Sequence, residues 1–205
     1  MQIIVLVILF LYFLLILKYW IGWIKTKATG VSHFLPKVSV IIALRNEQEL
    51  VLHLLSELKK QVYPIDRLEF ILVNDHSTDS TLELLENSVI DNLRVVNMPE
   101  GMLGKKSAIA FAMKEATGEI ILASDADCSF SPLWVHTMVA YFANKNIKLV
   151  SGPVSYHKQK GIFLGLQTLE FISLIGSGAG SIGDKNAIFC NGANMAYRKA
   201  DFLEL

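Results

Sequence analysis

Short apolar runs that stop abruptly on polar residues recur along this chain, with helical patterns between them. Residues 38–43 (VSVIIA) give way to Arg45, Asn46 and Glu47; residues 69–73 (EFILV) to Asn74, Asp75 and His76; residues 119–123 (EIILA) to Ser124, Asp125, Ala126 and Asp127. Runs of this length, rich in β-branched residues, read as buried strands, and residues 93–97 (LRVVN) add a shorter one. Leu50, Leu54, Leu55 and Leu58 fall at helical spacing after the first run. Residues 80–86 form a second helix behind the N-cap chemistry of Ser77, Thr78 and Asp79, and residues 105–116 a third, stopped by Gly118. Strands alternating with helices imply an α/β fold with a largely parallel central sheet. Beyond it, residues 132–144 read as a helix and residues 148–154 as another strand.

The front of the chain obeys a different rule. Residues 1–24 contain only Gln2, Lys18 and Gly22 outside the apolar set, and as a helix would reach roughly 36 Å, enough to cross a bilayer. The segment opens without basic residues and closes on aromatic ones, so it reads as a retained anchor rather than a cleaved signal. Tyr19, Trp20 and Trp23 make an interfacial belt, and Lys25 and Lys27 follow it. The positive-inside rule then puts the remainder in the cytoplasm, as a single-pass membrane protein. Residues 25–37, with Gly30 and Pro36, read as a linker, and the domain proper begins at 38. Residues 161–183 are also apolar, but Glu170 sits mid-run and glycines fragment the second half. A helix packed on the domain or lying at the membrane surface is expected there rather than a second span.

Composition excludes several classes of function. Of 205 residues, 52% are hydrophobic, and 19 basic residues balance 19 acidic ones. Such a chain collapses into a core rather than staying disordered, and it lacks the basic excess that a nucleic-acid partner requires. Cys128 and Cys190 have no CxxC spacing, so neither a disulfide framework nor structural zinc is expected. GMLGKKS has Pro99 where a P-loop needs glycine, and no GxGxxG follows the first strand.

In an open α/β sheet, ligands bind beyond the carboxyl ends of the strands. The polar clusters above would therefore converge on one rim. Asp125 and Asp127 flank a small alanine; if the segment stays extended, both carboxylates point the same way, toward one cation. A hard ion, Mg²⁺ or Mn²⁺, takes one or two protein carboxylates and completes its shell with water and phosphate oxygens. Asp75 can accept from a base N–H or a ribose hydroxyl, or simply cap a turn. Lys105 follows Gly104 at a helix start, where free amides and an ammonium both favour phosphate.

The order of these segments resembles the family 2 glycosyltransferases, inverting enzymes of GT-A fold that use nucleotide-diphospho sugars. VSVIIALRNE (38–47) is similar to the opening strand and nucleotide-contacting loop, VNDHSTDST (73–81) to the DDGSTD segment, and GKKSAIAFAM (104–113) to the GKxxALN helix start. SDADC (124–128) resembles the DxD, and NGANMAYRK (191–199) the GxNxAxRR-like segment beside the acceptor. The resemblance implies that Ala43, Arg45 and Glu47 line the nucleoside pocket, with Asp75 on the base and Lys105 near the nucleotide. It implies Asp125 facing the donor sugar or ribose, Asp127 holding the metal, and Asn191, Gly192 and Asn194 bordering the acceptor. The partners implied are a UDP- or GDP-linked sugar and a lipid-linked or glycan acceptor, in polysaccharide biosynthesis.

The family's general base is the aspartate of an ED-type motif some tens of residues after the GxNxAxR segment, hence beyond Leu205. Neither Asp201 nor Glu204 has a matching context. Residues 38–205 are accordingly expected to be the N-terminal, donor-binding part of such a domain, with further membrane helices following in the manner of related synthases. Two alternatives stand beside transfer: a module that binds nucleotide sugar without turnover, and a haloacid dehalogenase-type phosphatase using the DxD. The latter motif would continue to Thr or Val, where this chain reads Cys128-Ser129.

Overall fold

The computed structural model describes residues 1–26, 32–157 and 160–204. The chain divides into two compact units, Met1–Ala28 with Pro153–Asn191, and Thr29–Gly152 with Gly192–Leu205. Of the expected linker, residues 27–31 lie outside the described residues, and residues 32–37 have irregular backbone. In chain order the helices are α1 (Gln2–Lys25), α2 (Val51–Lys59), α3 (Thr81–Glu86), α4 (Lys105–Glu115), α5 (Trp134–Ala140), α6 (Ile162–Gly183) and α7 (Lys199–Leu203). The strands are β1 (Val38–Leu44), β2 (Leu68–Asn74), β3 (Leu93–Asn97), β4 (Ile120–Asp125), β5 (Leu149–Ser151) and β6 (Asn194–Arg198).

The second unit is a six-stranded sheet in the order β3-β2-β1-β4-β6-β5. β1, β2, β3 and β4 run parallel, and β6 runs antiparallel to both β4 and β5. The largely parallel α/β sheet read from the sequence is thus the one observed. Period-two alternation divides β1 between two cores. Val38, Val40, Ile42 and Leu44 pack with Leu54 and Leu58 of α2 and with Val135 and Val139 of α5. Ile41 packs on the opposite face with Ala108, Ala112 and Met113 of α4. Burial on both faces explains why these strands read as near-continuous hydrophobic runs.

The departures from expectation have local causes. β6 has no apolar run to announce it: NMAYR forms a strand because β4 and β5 pair with it on either side. β5 is shorter than residues 148–154: the Gly152 N–H still donates in register to Asn194 O (2.8 Å), but Pro153 has no N–H to contribute. α5 is shorter than residues 132–144, its C-terminal end tightening into a 3₁₀ turn over Tyr141–Ala143.

The first unit is built on α1 and α6, whose close contacts rise together along the two helices, Gly180 against Tyr19 and Gly183 against Gly22 and Thr26. Gly176 faces the Trp23 ring, Gly180 faces the Tyr19 and Gly22 backbone, and Asp184 pairs with Lys18 (3.2 Å). A Cβ on Gly22 or Gly180 would collide with the other helix's backbone, so glycine is what permits this approach. Residues 161–183 therefore do form one helix despite their glycines, and its packing partner is α1.

At the start of β4, the Gly118 N–H donates to Ser39 Oγ (2.8 Å), and a Cβ on Gly118 would stand 2.6 Å from that oxygen. Gly118→Ala is expected to lower unfolding free energy by about 2 kcal/mol in urea titrations, through overpacking at the β1–β4 entry.

Candidate functional site

β1 and β4 are neighbours in the middle of the sheet, and to either side of them the chain continues in opposite directions across it. This is the switch point at which open α/β sheets bind ligands. A cavity of about 300 Å³ opens there, lined by Ala43, Leu44, Arg45, Glu47, Asp75, Lys105, Asp125, Ala126 and Asp127. Ala43 and Asp125 are register partners across β1 and β4. A larger depression of about 530 Å³ lies at the other end of the sheet, beside Lys37, Thr117, Glu119, Arg198 and Lys199. There Arg198 is engaged with Glu119 (3.2 Å) and Lys199 Nζ with Ala116 O (2.5 Å). The switch-point cleft is the candidate site.

Two loops form the nucleoside side of this cleft, and they are tied reciprocally. The Asn46 N–H donates to Ser77 Oγ (3.1 Å), while the Thr78 N–H donates to Asn46 Oδ1 (2.8 Å). The Glu47 N–H donates to Thr81 Oγ1 (2.8 Å), the Gln48 N–H to Asp79 Oδ2 (3.2 Å), and the Ser80 N–H to Gln48 Oε1 (3.2 Å). Each side chain thereby satisfies the other loop's backbone, which neither helix nor sheet would do. Asn46 and His76 both have φ of 56°, a left-handed conformation that asparagine and histidine tolerate better than bulkier residues. Sequence reasoning treated Ser77, Thr78 and Asp79 as local caps. Asp79 does accept the Thr81 N–H (3.0 Å), but the cross-loop bonds have no periodic signature.

Asp75 is buried at the tip of β2. Its carboxylate accepts from the Gly104 N–H (2.9 Å) and from His76 Nδ1 (3.1 Å). Burial opposes its charge, but these two bonds together with the Arg45 guanidinium hold its pKa below the usual carboxylate range. Asp75 thus ties the β2 tip to the start of α4, where Gly104 supplies a φ of 86°. Lys105 begins α4, and its ammonium contacts the Asp125 carboxylate and approaches Gly192 O (3.5 Å).

The DxD departs from the expected geometry. Asp125 ends β4, but Ala126 and Asp127 turn, with the Cys128 N–H donating to Asp125 O (3.3 Å). The two carboxylates are therefore not successive same-side residues of one extended strand; Asp125 is half-buried against Lys105, whereas Asp127 is exposed at the mouth. Glu47 stands on the acidic side as well: burial raises its pKa, and Asp127, Asp79 and Asp125 raise it further. Among the described residues, no three His, Cys, Asp or Glu side chains gather to cage an ion. The donor set fits an ion that takes one or two carboxylates here and its other oxygens from diphosphate and water. Burial pushes the Cys128 thiol up, which makes it a poor thiolate ligand.

The loop after Asp127 is held from behind by one ridge of α2 and the residue pair following it. The Phe130 N–H donates to the buried Glu57 (3.1 Å), His53 Nε2 pairs with Ser129 Oγ (2.8 Å), and Gln61 Nε2 donates to Ser131 O (2.9 Å). Glu57 also accepts from the Lys60 ammonium (2.7 Å), and that bond, followed by the one from the Phe130 N–H, lowers its pKa. Sequence reasoning missed this role, although the spacing of His53, Glu57 and Gln61 by four residues places them on one helical face.

The residues expected on the acceptor side separate. Gly192 reaches the cleft through its carbonyl near Lys105, whereas Asn194 Oδ1 accepts from Trp134 Nε1 (2.9 Å) at the start of β6. Asn191 closes the helical unit and is half-buried.

A parallel sheet whose acidic and basic tips enclose one cleft at its switch point defines a GT-A glycosyltransferase domain, and solved structures agree. The mannosyltransferase PcManGT from Pyrobaculum calidifontis, in complex with GDP-Man and Mn²⁺, superposes with a TM-score of 0.70 at 25% identity, over 93% of this chain and 53% of that one. Residues 39–205 match the family described as Glycosyl transferase family 2, and the chain belongs to that family. The probable glycosyltransferase YdaM of Bacillus subtilis is 34% identical over 114 residues, 54% of this chain and 27% of its own length. The poly-beta-1,6-N-acetyl-D-glucosamine synthase of Staphylococcus epidermidis is 31% identical over 161 residues, 74% of this chain and 38% of its own. The chain thus spans well under half the length of either of these two relatives.

Two measurements probe the geometry. Asn46→Ala is expected to cost about 1–2 kcal/mol and to speed amide exchange at Thr78, while Asn46→Gly, which accepts the positive φ, loses only the side-chain bonds and costs less. Because Glu47's raised pKa means that the folded state holds its proton more tightly than the unfolded chain, the acidic cluster opposes folding above that range and is relieved below it. Asp127→Asn should therefore raise Tm by about 1–2 °C at pH 7 without added cation, and the gain should disappear as pH falls toward 4.

Proposed function

We propose that this chain is the donor-binding part of a membrane-anchored glycosyltransferase, which moves sugar with inversion from a nucleotide-diphospho donor to a lipid-linked or glycan acceptor. The observation that carries the reading is a single cleft lined by buried Asp75, by exposed Asp127 and by Lys105, whose ammonium contacts Asp125. The reading takes residues 1–24 as the anchor, 25–37 as linker and 38–205 as the transferase domain, facing the cytoplasm because Lys25 and Lys27 follow the span. A UDP- or GDP-linked sugar would enter base-first. Asp75 would take the base, with Ala43, Arg45 and Glu47 lining the nucleoside pocket.

Asp127 would hold the divalent cation, Mg²⁺ or Mn²⁺, against the diphosphate. When bound, that ion supplies Lewis-acid stabilisation of the charge developing on the leaving diphosphate. Lys105 would add its own positive charge at the same end, released from Asp125 as the phosphates arrive, and Asp125 would turn to the donor sugar or ribose. The Gly192 carbonyl, with Asn191 and Asn194, would border the acceptor. The complex of PcManGT with GDP-Man and Mn²⁺ supports both the donor class and the ion. Membership of a glycosyltransferase family displaces the phosphatase alternative.

Calorimetric titration of UDP- and GDP-sugars with Mn²⁺ or Mg²⁺ tests the reading. Wild-type protein should bind one donor class in a cation-dependent manner, and Asp127→Ala should weaken that binding by about tenfold or more, the loss of a charge-assisted contact. Undiminished cation-dependent affinity in the variant would remove Asp127 from the site. Donor binding with no sugar transferred to any acceptor would leave a binding module.

A further inference from the structure

Asp127 has little in its own side chain to hold it. It is exposed, and the bond shown for its carboxylate is a weak one from the Cys128 thiol (3.8 Å). Burial first, and Asp127 after it, raise the Glu47 pKa, so the two carboxylates repel one another. An acid so placed keeps its position only if its backbone does. That backbone is fixed on both sides. Two residues before Asp127, Asp125 ends β4 in register with Ala43. Three residues after it, the Phe130 N–H donates to Glu57 Oε2 (3.1 Å), and the Phe130 ring stacks on Trp134 of α5 with centroids 4.2 Å apart. Gln61 Nε2 and the Val62 N–H, just beyond α2, hold the carbonyls of Ser131 (2.9 Å) and Pro132 (2.8 Å). Of these three backbone ties, that of Glu57 lies nearest Asp127.

Glu57 is only 8% exposed, and the other buried residues of α2 are Val51, Leu54, Leu55 and Leu58. A carboxylate is costly in such company. What it supplies is a charge-assisted bond to the Phe130 N–H, stronger than a neutral acceptor makes, while its second oxygen is balanced by the Lys60 ammonium (2.7 Å). Few soft backbone torsions separate Phe130 from Asp127, so a shift at the one is passed to the other. We propose that Glu57 is a positioning residue for cation binding: by fixing the backbone at Phe130 it sets where the Asp127 carboxylate stands, although no hydrogen bond joins the two side chains. The proposal rests on Asp127 holding the divalent cation, and the experiment separates the two.

The whole 205-residue chain, in detergent micelles, is titrated calorimetrically with UDP and with GDP, in Mn²⁺ and in EDTA, and free Mn²⁺ is followed by its electron paramagnetic resonance signal. Glu57→Ala should weaken Mn²⁺-dependent nucleotide binding by about tenfold, as the loss of a supporting contact behind a metal ligand does. Binding in EDTA should be unchanged. Glu57→Gln still offers an oxygen to the Phe130 N–H and should restore Mn²⁺ affinity to within about twofold of wild type. Glu57→Asp, one methylene shorter, should fall between the two. In an Asp127→Asn background, Glu57→Ala should cause no further loss, because the side chain through which it acts is gone.

Wild-type Mn²⁺ affinity in Glu57→Ala would overturn the proposal. So would a loss of the same size in EDTA, which marks general damage to the domain, or losses that multiply when Glu57→Ala and Asp127→Asn are combined, which mark two independent effects. If Glu57→Ala does not fold, Glu57→Asp takes its place in every comparison. Undiminished Mn²⁺ affinity in Asp127→Asn alone would instead remove Asp127 from the site, and with it the reading on which the proposal rests.

Discussion

β1 is paired on both edges and buried on both faces, and this constraint sets the geometry of everything around the cleft. A strand so enclosed cannot slip, because a one-residue shift would turn Ile41 and Ile42 each toward the other's core. Its register then fixes where β2 delivers Asp75 and where β4 delivers Asp125. The Asp75 N–H in turn donates to Leu44 O (2.8 Å), carrying the pairing one step past the sheet. Precision at the rim is inherited from apolar packing beneath it.

Polar groups complete what the core begins. The Asn46 and Ser77–Thr78 clasp joins two loops, the Asp75–Gly104 bond joins the β2 tip to α4, and Glu57 anchors the backbone after Asp127. All three use side chain to backbone bonds, which fix loop position without demanding long-range charge pairing. The ligand-facing charges are left less restrained. Asp127 is exposed, and the Glu47 pKa is raised by burial first and by Asp127, Asp79 and Asp125 after it, so the acidic wall is held together against desolvation as well as its own repulsion. Such stored repulsion is typical of sites that trade folding stability for ligand affinity.

Much of this was legible in the sequence because the strands are doubly buried and therefore appear as unbroken apolar runs. The cleft residues were legible for a related reason: a polar residue directly after such a run has nowhere to go but the carboxyl rim. Ala43, Arg45, Glu47, Asp75, Lys105, Asp125 and Asp127 all line the one cavity. What the sequence concealed depends on contacts between distant residues. β6 is a strand only because β4 and β5 bracket it, and Asn194 is drawn to the Trp134 indole, sixty residues away. The turn at Ala126 was concealed as well, since an extended tripeptide and a turning one read alike.

The contact between Lys105 and Asp125 has a bearing on how the cleft empties as well as how it fills. An ammonium that rests on a carboxylate serves as a tethered counter-ion, carried by the protein itself rather than drawn from solution. On the donor-binding reading, the same arm would return to its resting mate when an anionic guest departs. The acid so covered is Asp125 alone, while Asp127 stays exposed at the mouth, so the two carboxylates of one short segment keep different company.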